Sequence, residues 1–155
     1  MLARMQSLYL FIAALLAFSS MFFPFWHFIA DSLYVLRDFR PFTEANVVHI
    51  VSLHVSGIVS LAIGLLSIAA LFFYKNRTLQ STLILVLFLL FFVDILSGLT
   101  ASHFMNVKLG QDFGPGVEHS PGAGFFVLLP MPLLFWLARK GVKKDEKIAT
   151  AYKRL

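Results

Sequence analysis

One acidic side chain, Asp94, lies inside the apolar stretch LLFFVDILSG, where a carboxyl group can hydrogen-bond to a neighbouring helix or carry a proton or an ion. On its own segment, Gly98 and Ser102 follow it at intervals of four residues. Small residues let membrane helices approach closely and hydroxyl groups hydrogen-bond across the contact, so we expect Asp94 to face Ser56 and Ser60. These two serines belong to a second small and polar stripe, spaced by three and four residues: His49, Ser52, Ser56, Ser60, Gly64 and Ser67.

The predicted intramembrane polar cluster also contains Ser97, His54 and His103, and two roles for it follow. In the first, an uncharged Asp94 fixes how two helices meet, because a buried carboxyl group without a cationic partner resists ionisation. In the second, a proton or ion relay runs from Asp94 towards His54, His103 and the outside. A relay needs polar groups that reach both surfaces, whereas the inner half offers only Ser67, so the sequence favours the first role.

The histidines raise a third hypothesis, haem or metal binding near the external ends of the helices. His54 and His103 can approach each other there, but His49 and His54 are five residues apart, which rotates them by about 140° on a helix. Zinc sites use three or four converging ligands, and this spacing does not enforce convergence. We therefore expect no metal and no other cofactor, and histidine-based binding is the least favoured of the three hypotheses.

Motifs of conventional enzyme chemistry are missing from the sequence, which contains no G-x-S-x-G, P-loop or H-E-x-x-H pattern. We expect no catalytic residues and no enzymatic activity. The acidic residues of the predicted loops are expected to face water, with no pairing that the sequence can demonstrate; they are Asp31, Asp38, Glu44, Asp112 and Glu118.

The composition indicates which elements hold these residues. Of the 155 residues, 59% are hydrophobic and 14% are charged, whereas soluble domains carry about 25% charged residues. The last of four apolar segments is short and contains Pro130 and Pro132, which predict a kinked span. We expect a single-domain, all-α membrane protein with four transmembrane helices of roughly 20 residues, covering residues 7–28, 47–74, 81–105 and 123–138.

The basic residues predict the orientation of these helices. With the N-terminus in the cytoplasm, only Arg37, Arg40 and Lys108 lie outside. This bias places both termini in the cytoplasm of a bacterial inner membrane. The net charge of +5 is therefore an orientation signal, and we expect no nucleic acid partner. The ten inside residues are Arg4, Lys75, Arg77, Arg139, Lys140, Lys143, Lys144, Lys147, Lys153 and Arg154.

Two external loops and a tail complete the predicted layout. The loops, 30–46 and 106–122, contain the strand-like stretches SLYVLRDFRPF and NVKLGQDF, which we expect to pair into a small cap. The basic cytoplasmic tail, 139–155, is expected to lie on the membrane as a helix, since lysine and arginine attract anionic headgroups. The predicted headgroup contacts are Lys143, Lys144, Lys147, Lys153 and Arg154.

Three stretches on the predicted cytoplasmic side, MLARMQSLYLFIAALL, KNRTLQ and RKGVKKDEKIATAYKRL, resemble an uncharacterised family of small bacterial membrane proteins, domain of unknown function 4293. The family occurs mainly in Bacteroidota, and the resemblance implies a four-helix inner-membrane protein without assigned catalytic residues. We expect a non-enzymatic accessory, scaffold or assembly component of a membrane complex, with the lipid bilayer and other membrane subunits as partners. A small proton- or ion-linked transporter that uses Asp94 is the alternative.

Overall fold

The computed structural model describes residues 2–42, 45–114 and 116–152, and most of them are helical. A sheet of three short strands accompanies the helices, so the all-α prediction is wrong in this respect. The strands are β1 (Trp26–Ile29), β2 (Leu33–Leu36) and β3 (Glu118–Pro121). The helices are α1 (Leu2–Ser20), α2 (Val47–Phe72), α3 (Arg77–Phe113), α4 (Ala123–Leu128) and α5 (Met131–Tyr152), with a 3-10 turn (Phe73–Lys75) after α2.

Three of the four predicted spans are long and apolar enough to cross a membrane. They cover Val47–Lys75, Arg77–Phe113 and Ala123–Ala151, and the last contains both α4 and α5. The apolar part of α1, Met5–Ser20, is shorter than these three.

The first helix ends earlier than predicted because the segment FFPFWHF leaves the helix and forms a strand. Pro24 disfavours a helical residue before it and supplies no N–H for a helix hydrogen bond. The aromatic residues after Pro24 suit an extended strand. Phe25 then donates its backbone N–H to the Leu36 carbonyl at 2.9 Å, which starts the pairing of β1 with β2.

The three strands lie in connections at one end of the helices, which is called the sheet end below. β1 is central and pairs antiparallel with both neighbours, with His27 opposite Val35 of β2 and Ser120 of β3. The predicted strand at Leu33–Leu36 is confirmed, but its predicted partner NVKLGQDF is helical. There Lys108 and Asp112 form an ion pair of 2.9 Å across one turn of α3, which favours the helix.

The opposite end, called the tail end below, holds the α2–α3 turn and the C-terminal half of α5. Asn76 caps α3 by accepting the Leu79 N–H at 3.1 Å, and the short turn makes α2 and α3 neighbours. The helix α5 continues without a break through the predicted boundary between span and tail at 138, as far as Tyr152. The chain breaks instead between α4 and α5, at Pro130.

Candidate functional site

The side chain of Asp94 is fully buried between α2 and α3, at 0% exposure. The Ser56 hydroxyl donates to its Oδ1 at 2.7 Å, and the Ser60 hydroxyl donates to its Oδ2 at 2.6 Å. Since the two serines are one turn apart on α2, both hydroxyls face α3, and each donates a hydrogen bond to one carboxyl oxygen of Asp94. The contact predicted from the spacing of the two stripes is therefore present.

A second carboxyl group, Asp38, lies beside this cluster, and the expectation that it faces water is wrong. The pKa of Asp38 is raised from its ordinary value of 3.8 to about 7, mainly by burial and further by the nearby Asp94 carboxyl, while a hydrogen bond with Ser56 opposes the rise. Both carboxyl groups therefore share the Ser56 hydroxyl. No sequence pattern near Asp38 indicated this, because the residue lies in a polar loop far from both stripes.

The shared hydroxyl limits how the two carboxyl groups can be charged. A serine hydroxyl has one proton to donate and two lone pairs that accept. An ionised Asp38 competes with Asp94 for the single proton of Ser56, whereas a protonated Asp38 can donate to the Ser56 oxygen. The arrangement can therefore hold a proton along a short path from Asp38 through Ser56 to Asp94.

The backbone holds Asp38 in this position through a strained turn. Arg37 to Arg40 form a turn in which the Arg40 N–H donates to the Arg37 carbonyl at 3.2 Å. Phe39 has a φ of 60°, which L-residues with large side chains rarely adopt. Its ring lies on Gly57, where an added Cβ would be 2.6 Å from the ring. Strain of this kind costs roughly 1–3 kcal/mol and persists only where the surroundings enforce it.

A buried histidine fixes the chain just after this turn. The Phe42 N–H donates to Nε2 of His49 at 3.3 Å, and Nδ1 of His49 lies 2.8 Å from the Ala101 carbonyl on α3. A backbone N–H can only donate and a carbonyl can only accept, so these partners select the tautomer with its proton on Nδ1. His49 thus links the loop to α3 through α2, a role that its place in the stripe did not predict.

The other predicted members of the polar cluster lie apart from Asp94. Nδ1 of His54 contacts the Ile50 carbonyl at 2.7 Å on its own helix, and its ring faces Phe39. His103 is exposed and packs against the ring of Phe104. Ser97 is half-buried one turn along α3, whereas the hydroxyls that contact Asp94 come from α2.

Metal-binding geometry is absent from the part of the chain that the structure describes: no three histidine, aspartate or glutamate side chains are grouped to hold an ion. The two remaining histidines lie on strands, where Nδ1 of His119 accepts from the Trp26 indole at 3.4 Å and His27 is part of β1. The histidine-based hypothesis therefore gains no support from these positions.

Between the cluster and the tail end, apolar side chains fill the bundle. Ile63 of α2 and Leu87 of α3 are fully buried, and the ring of Phe18 lies on Gly64. The next polar group, the Ser67 hydroxyl, is buried and has no hydrogen-bond partner among the described residues. The polar cluster is thus separated from the tail end by an apolar layer.

The predicted headgroup contacts lie on the C-terminal half of α5. Lys143, Lys144 and Lys147 are exposed, while Lys153 and Arg154 lie outside the described residues. The same helix is attached to the protein through its acidic side chains: Gln6 donates to Asp145 at 2.8 Å, and Thr78 donates to Glu146 at 3.0 Å. Contact of the lysines with lipid stays a prediction.

Comparison with known proteins gives one match. The family model described as domain of unknown function (DUF4293) matches residues 2–155, as the three stretches of the sequence suggested. No curated protein and no solved structure matches the chain. Because the match covers almost the whole chain, the protein belongs to the DUF4293 family.

Proposed function

We propose that the protein is an integral protein of the bacterial inner membrane with both termini in the cytoplasm. Large apolar side chains are exposed along the outer faces of the helices, including Ile58 and Leu65 on α2 and Leu89 and Leu96 on α3. Such faces suit lipid rather than water. The described basic residues are also more numerous at the tail end than at the sheet end, which supports a cytoplasmic tail end.

Within the membrane, we propose a non-enzymatic role as an accessory or scaffold component of a larger complex. The observation that carries this proposal is the set of hydrogen bonds that the buried polar side chains make. Asp94 joins α3 to α2 through Ser56 and Ser60. His49 joins the sheet-end loop to α3, and an apolar layer follows these groups. Groups arranged this way hold the sheet and its loops against the ends of the helices. They do not line a passage through the bundle.

The sheet also presents an apolar surface on which a partner can pack. Ile29 of β1 and Leu33 of β2 are paired across the two strands and are 52% and 63% exposed. Contiguous exposed apolar surface marks interaction sites, and this pair is the part of the sheet that we assign to such a contact.

Affinity purification of the tagged protein in a mild detergent tests the scaffold role. We expect a stoichiometric membrane partner that is lost from the double variant Ile29→Ser, Leu33→Ser. The control Ile58→Ala, Leu61→Ala changes two apolar residues on the exposed face of α2 and should keep the partner. Recovery of the wild type only as a free monomer contradicts the scaffold role.

One observation favours a second candidate, a proton- or ion-linked transporter: Asp38 joins Asp94 across Ser56, and paired carboxyl groups can bind and release a proton near neutral pH. In proteoliposomes with an internal pH dye, this role predicts a proton flux that Asp94→Asn abolishes. A wild-type flux equal to that of protein-free vesicles, or an unchanged flux in the variant, removes this candidate.

A further inference from the structure

A narrow groove opens between α3 and α5 near the tail end. Its volume is about 120 Å³, and its lining is apolar except for one arginine: Ile84, Leu85, Phe88, Phe135, Trp136 and Arg139. Leu85 and Trp136 are partly exposed, so the groove is open towards the surroundings of the helices.

Arg139 has an unfilled hydrogen-bonding position in this groove. Its Nε is buried and has no hydrogen-bond partner among the described residues. Leaving a buried donor unpaired costs about 1–3 kcal/mol. The nearby acidic side chains of α5 are engaged elsewhere, Asp145 with Gln6 and Glu146 with Thr78. The geometry therefore calls for an anion from outside the chain.

The charged and apolar parts of the groove are ordered along the helices. Phe88 of α3 and Phe135 of α5 each lie one turn, about 6 Å, closer to the middle of the bundle than Ile84 and Arg139 do. Trp136 lies between the level of Phe135 and the level of Arg139. The Lys140 ammonium lies over its ring, 5.1 Å from the ring centroid. Tryptophan is enriched where the bilayer core meets the headgroups. The groove is thus basic at the tail end and apolar towards the middle.

We propose that this groove binds one anionic phospholipid, with the phosphate on Arg139 and an acyl chain along Leu85 and Phe88. Arginine suits phosphate because its fork of N–H donors matches the phosphate oxygens. Lys143 follows Arg139 by one turn of α5 and is exposed, so it can contact the same headgroup. The inference rests on the proposed membrane location and is independent of the scaffold role.

The two tryptophans of the chain allow a direct test, because Trp26 lies in the sheet and Trp136 lines the groove. In the Trp26→Phe background, Trp136 is the single fluorophore. The protein is reconstituted into phosphatidylcholine vesicles that contain a minor fraction of dibrominated phosphatidylglycerol or, in a parallel arm, dibrominated phosphatidylcholine. We expect Trp136 to be quenched with about tenfold higher apparent affinity for the anionic lipid.

Matched variants separate a site from general surface charge. Arg139→Gln should abolish the preference, and Arg139→Lys should keep part of it. Lys75→Gln removes the same charge from the α2–α3 turn at the tail end, outside the groove, and should keep the full preference. Equal quenching by both lipids in the wild type, or equal losses in Arg139→Gln and Lys75→Gln, would overturn the proposal.

Two further measurements keep the test decisive. If Arg139→Gln does not fold, Leu85→Phe fills the groove without changing the charge and should weaken quenching by the anionic lipid; an unchanged preference contradicts the site. Flotation of the protein with vesicles reports the membrane location separately. A protein that floats but shows no lipid preference refutes the phospholipid site alone, whereas a protein that does not float refutes the membrane location.

Discussion

The two ends of the molecule place their carboxyl groups in different surroundings. At the sheet end, carboxyl, hydroxyl and imidazole groups are buried and pair with one another or with backbone groups of other elements. At the tail end, the carboxyl groups of Asp145 and Glu146 are only half-buried and can be reached by water, although Gln80 is buried there and donates to the Ala70 carbonyl. The same kinds of side chain should therefore contribute much more to stability at the sheet end, because a buried group left without a partner pays the full desolvation penalty.

The backbone shows the same contrast. At the sheet end a strained turn, with Phe39 at a φ of 60°, is held against Gly57 by packing. At the tail end regular helices meet through an ordinary capped turn at Asn76. Strain that persists in one region indicates that its surroundings over-determine the conformation. The sheet end is thus the region in which single substitutions should propagate from the helices to the loop.

The largest effect is expected for Asp94→Ala, which leaves the buried hydroxyls of Ser56 and Ser60 without their shared acceptor. We expect the free energy of unfolding to fall by roughly 3 kcal/mol. Asp94→Asn keeps one acceptor oxygen and should cost less than about half of that. Thermal unfolding in detergent, followed by circular dichroism, measures both changes.

Ser97→Ala is the matched control for Asp94→Ala, because Ser97 lies on the same helix and is half-buried. Its expected effect is within about 0.5 kcal/mol. An Asp94→Ala protein as stable as Ser97→Ala would show that the buried cluster does not stabilise the fold, and the contrast between the two ends would fail.

A smaller effect is expected for Gly57→Ala, which places a methyl group where the Phe39 ring now lies. The ring must move and the turn that holds Asp38 must shift with it, which should cost about 1–2 kcal/mol. Hydrogen exchange of the amides of residues 37–42 measures the release of the turn. Gly110→Ala is the control: it has open space around its Cβ and should be neutral or slightly stabilising. Unchanged exchange in Gly57→Ala contradicts the role of the ring.

The helices and the contact of Asp94 with Ser56 and Ser60 were predictable because both depend on periodicity. A spacing of three and four residues fixes which side chains share a face, and an apolar run of sufficient length fixes the span. The same reasoning could not find Asp38, since its position depends on the turn at Arg37–Arg40 and not on any repeat.

The sheet was only partly predictable for a related reason. Leu33–Leu36 was recognised as a strand, but WHFI reads as the apolar end of a membrane helix and EHSP carries almost no strand signal. These residues are strands because Pro24 ends the helical path and because β1 supplies hydrogen-bonding partners on both sides. Tertiary pairing of this kind overrides local preference.

A pH dependence is expected from Asp38, whose pKa of about 7 in the folded protein lies above its ordinary value of 3.8. The folded form therefore binds more protons than the unfolded form between these values, so stability falls as the pH rises from 3.8 to about 7 and changes little above that. The groups that face Asp38 are Asp94 from α3 and Ser56 from α2, while Arg37 and Arg40 flank it on its own turn and are exposed. Unfolding midpoints measured in detergent between acidic and mildly alkaline pH should show this fall in the wild type.

Two variants identify the titrating group. Asp38→Asn should make the fall smaller, because no proton is lost from that position. His54→Gln should keep the full fall, although the His54 ring packs against Phe39 of the same turn. A fall in Asp38→Asn as large as in the wild type, or one that disappears in His54→Gln, would assign the effect to another group.

The smallest effect is expected at the tail end for Asp145→Ala, which removes the acceptor of Gln6 but leaves the contact of Arg77 with the Asp145 backbone carbonyl. Gln6 is buried but Asp145 is only half-buried, so water can enter the space that the Asp145 side chain leaves and hydrogen-bond to Gln6; we expect a loss of about 0.5–1 kcal/mol. Hydrogen exchange should increase in the C-terminal half of α5, while amides of residues 37–42 at the sheet end stay protected. Thr78→Val, which removes the contact with Glu146, should change stability by no more than this. A destabilisation by Asp145→Ala as large as that of Asp94→Ala would mean that the tail-end contacts are not replaceable by water, so burial would no longer explain the difference between the two ends.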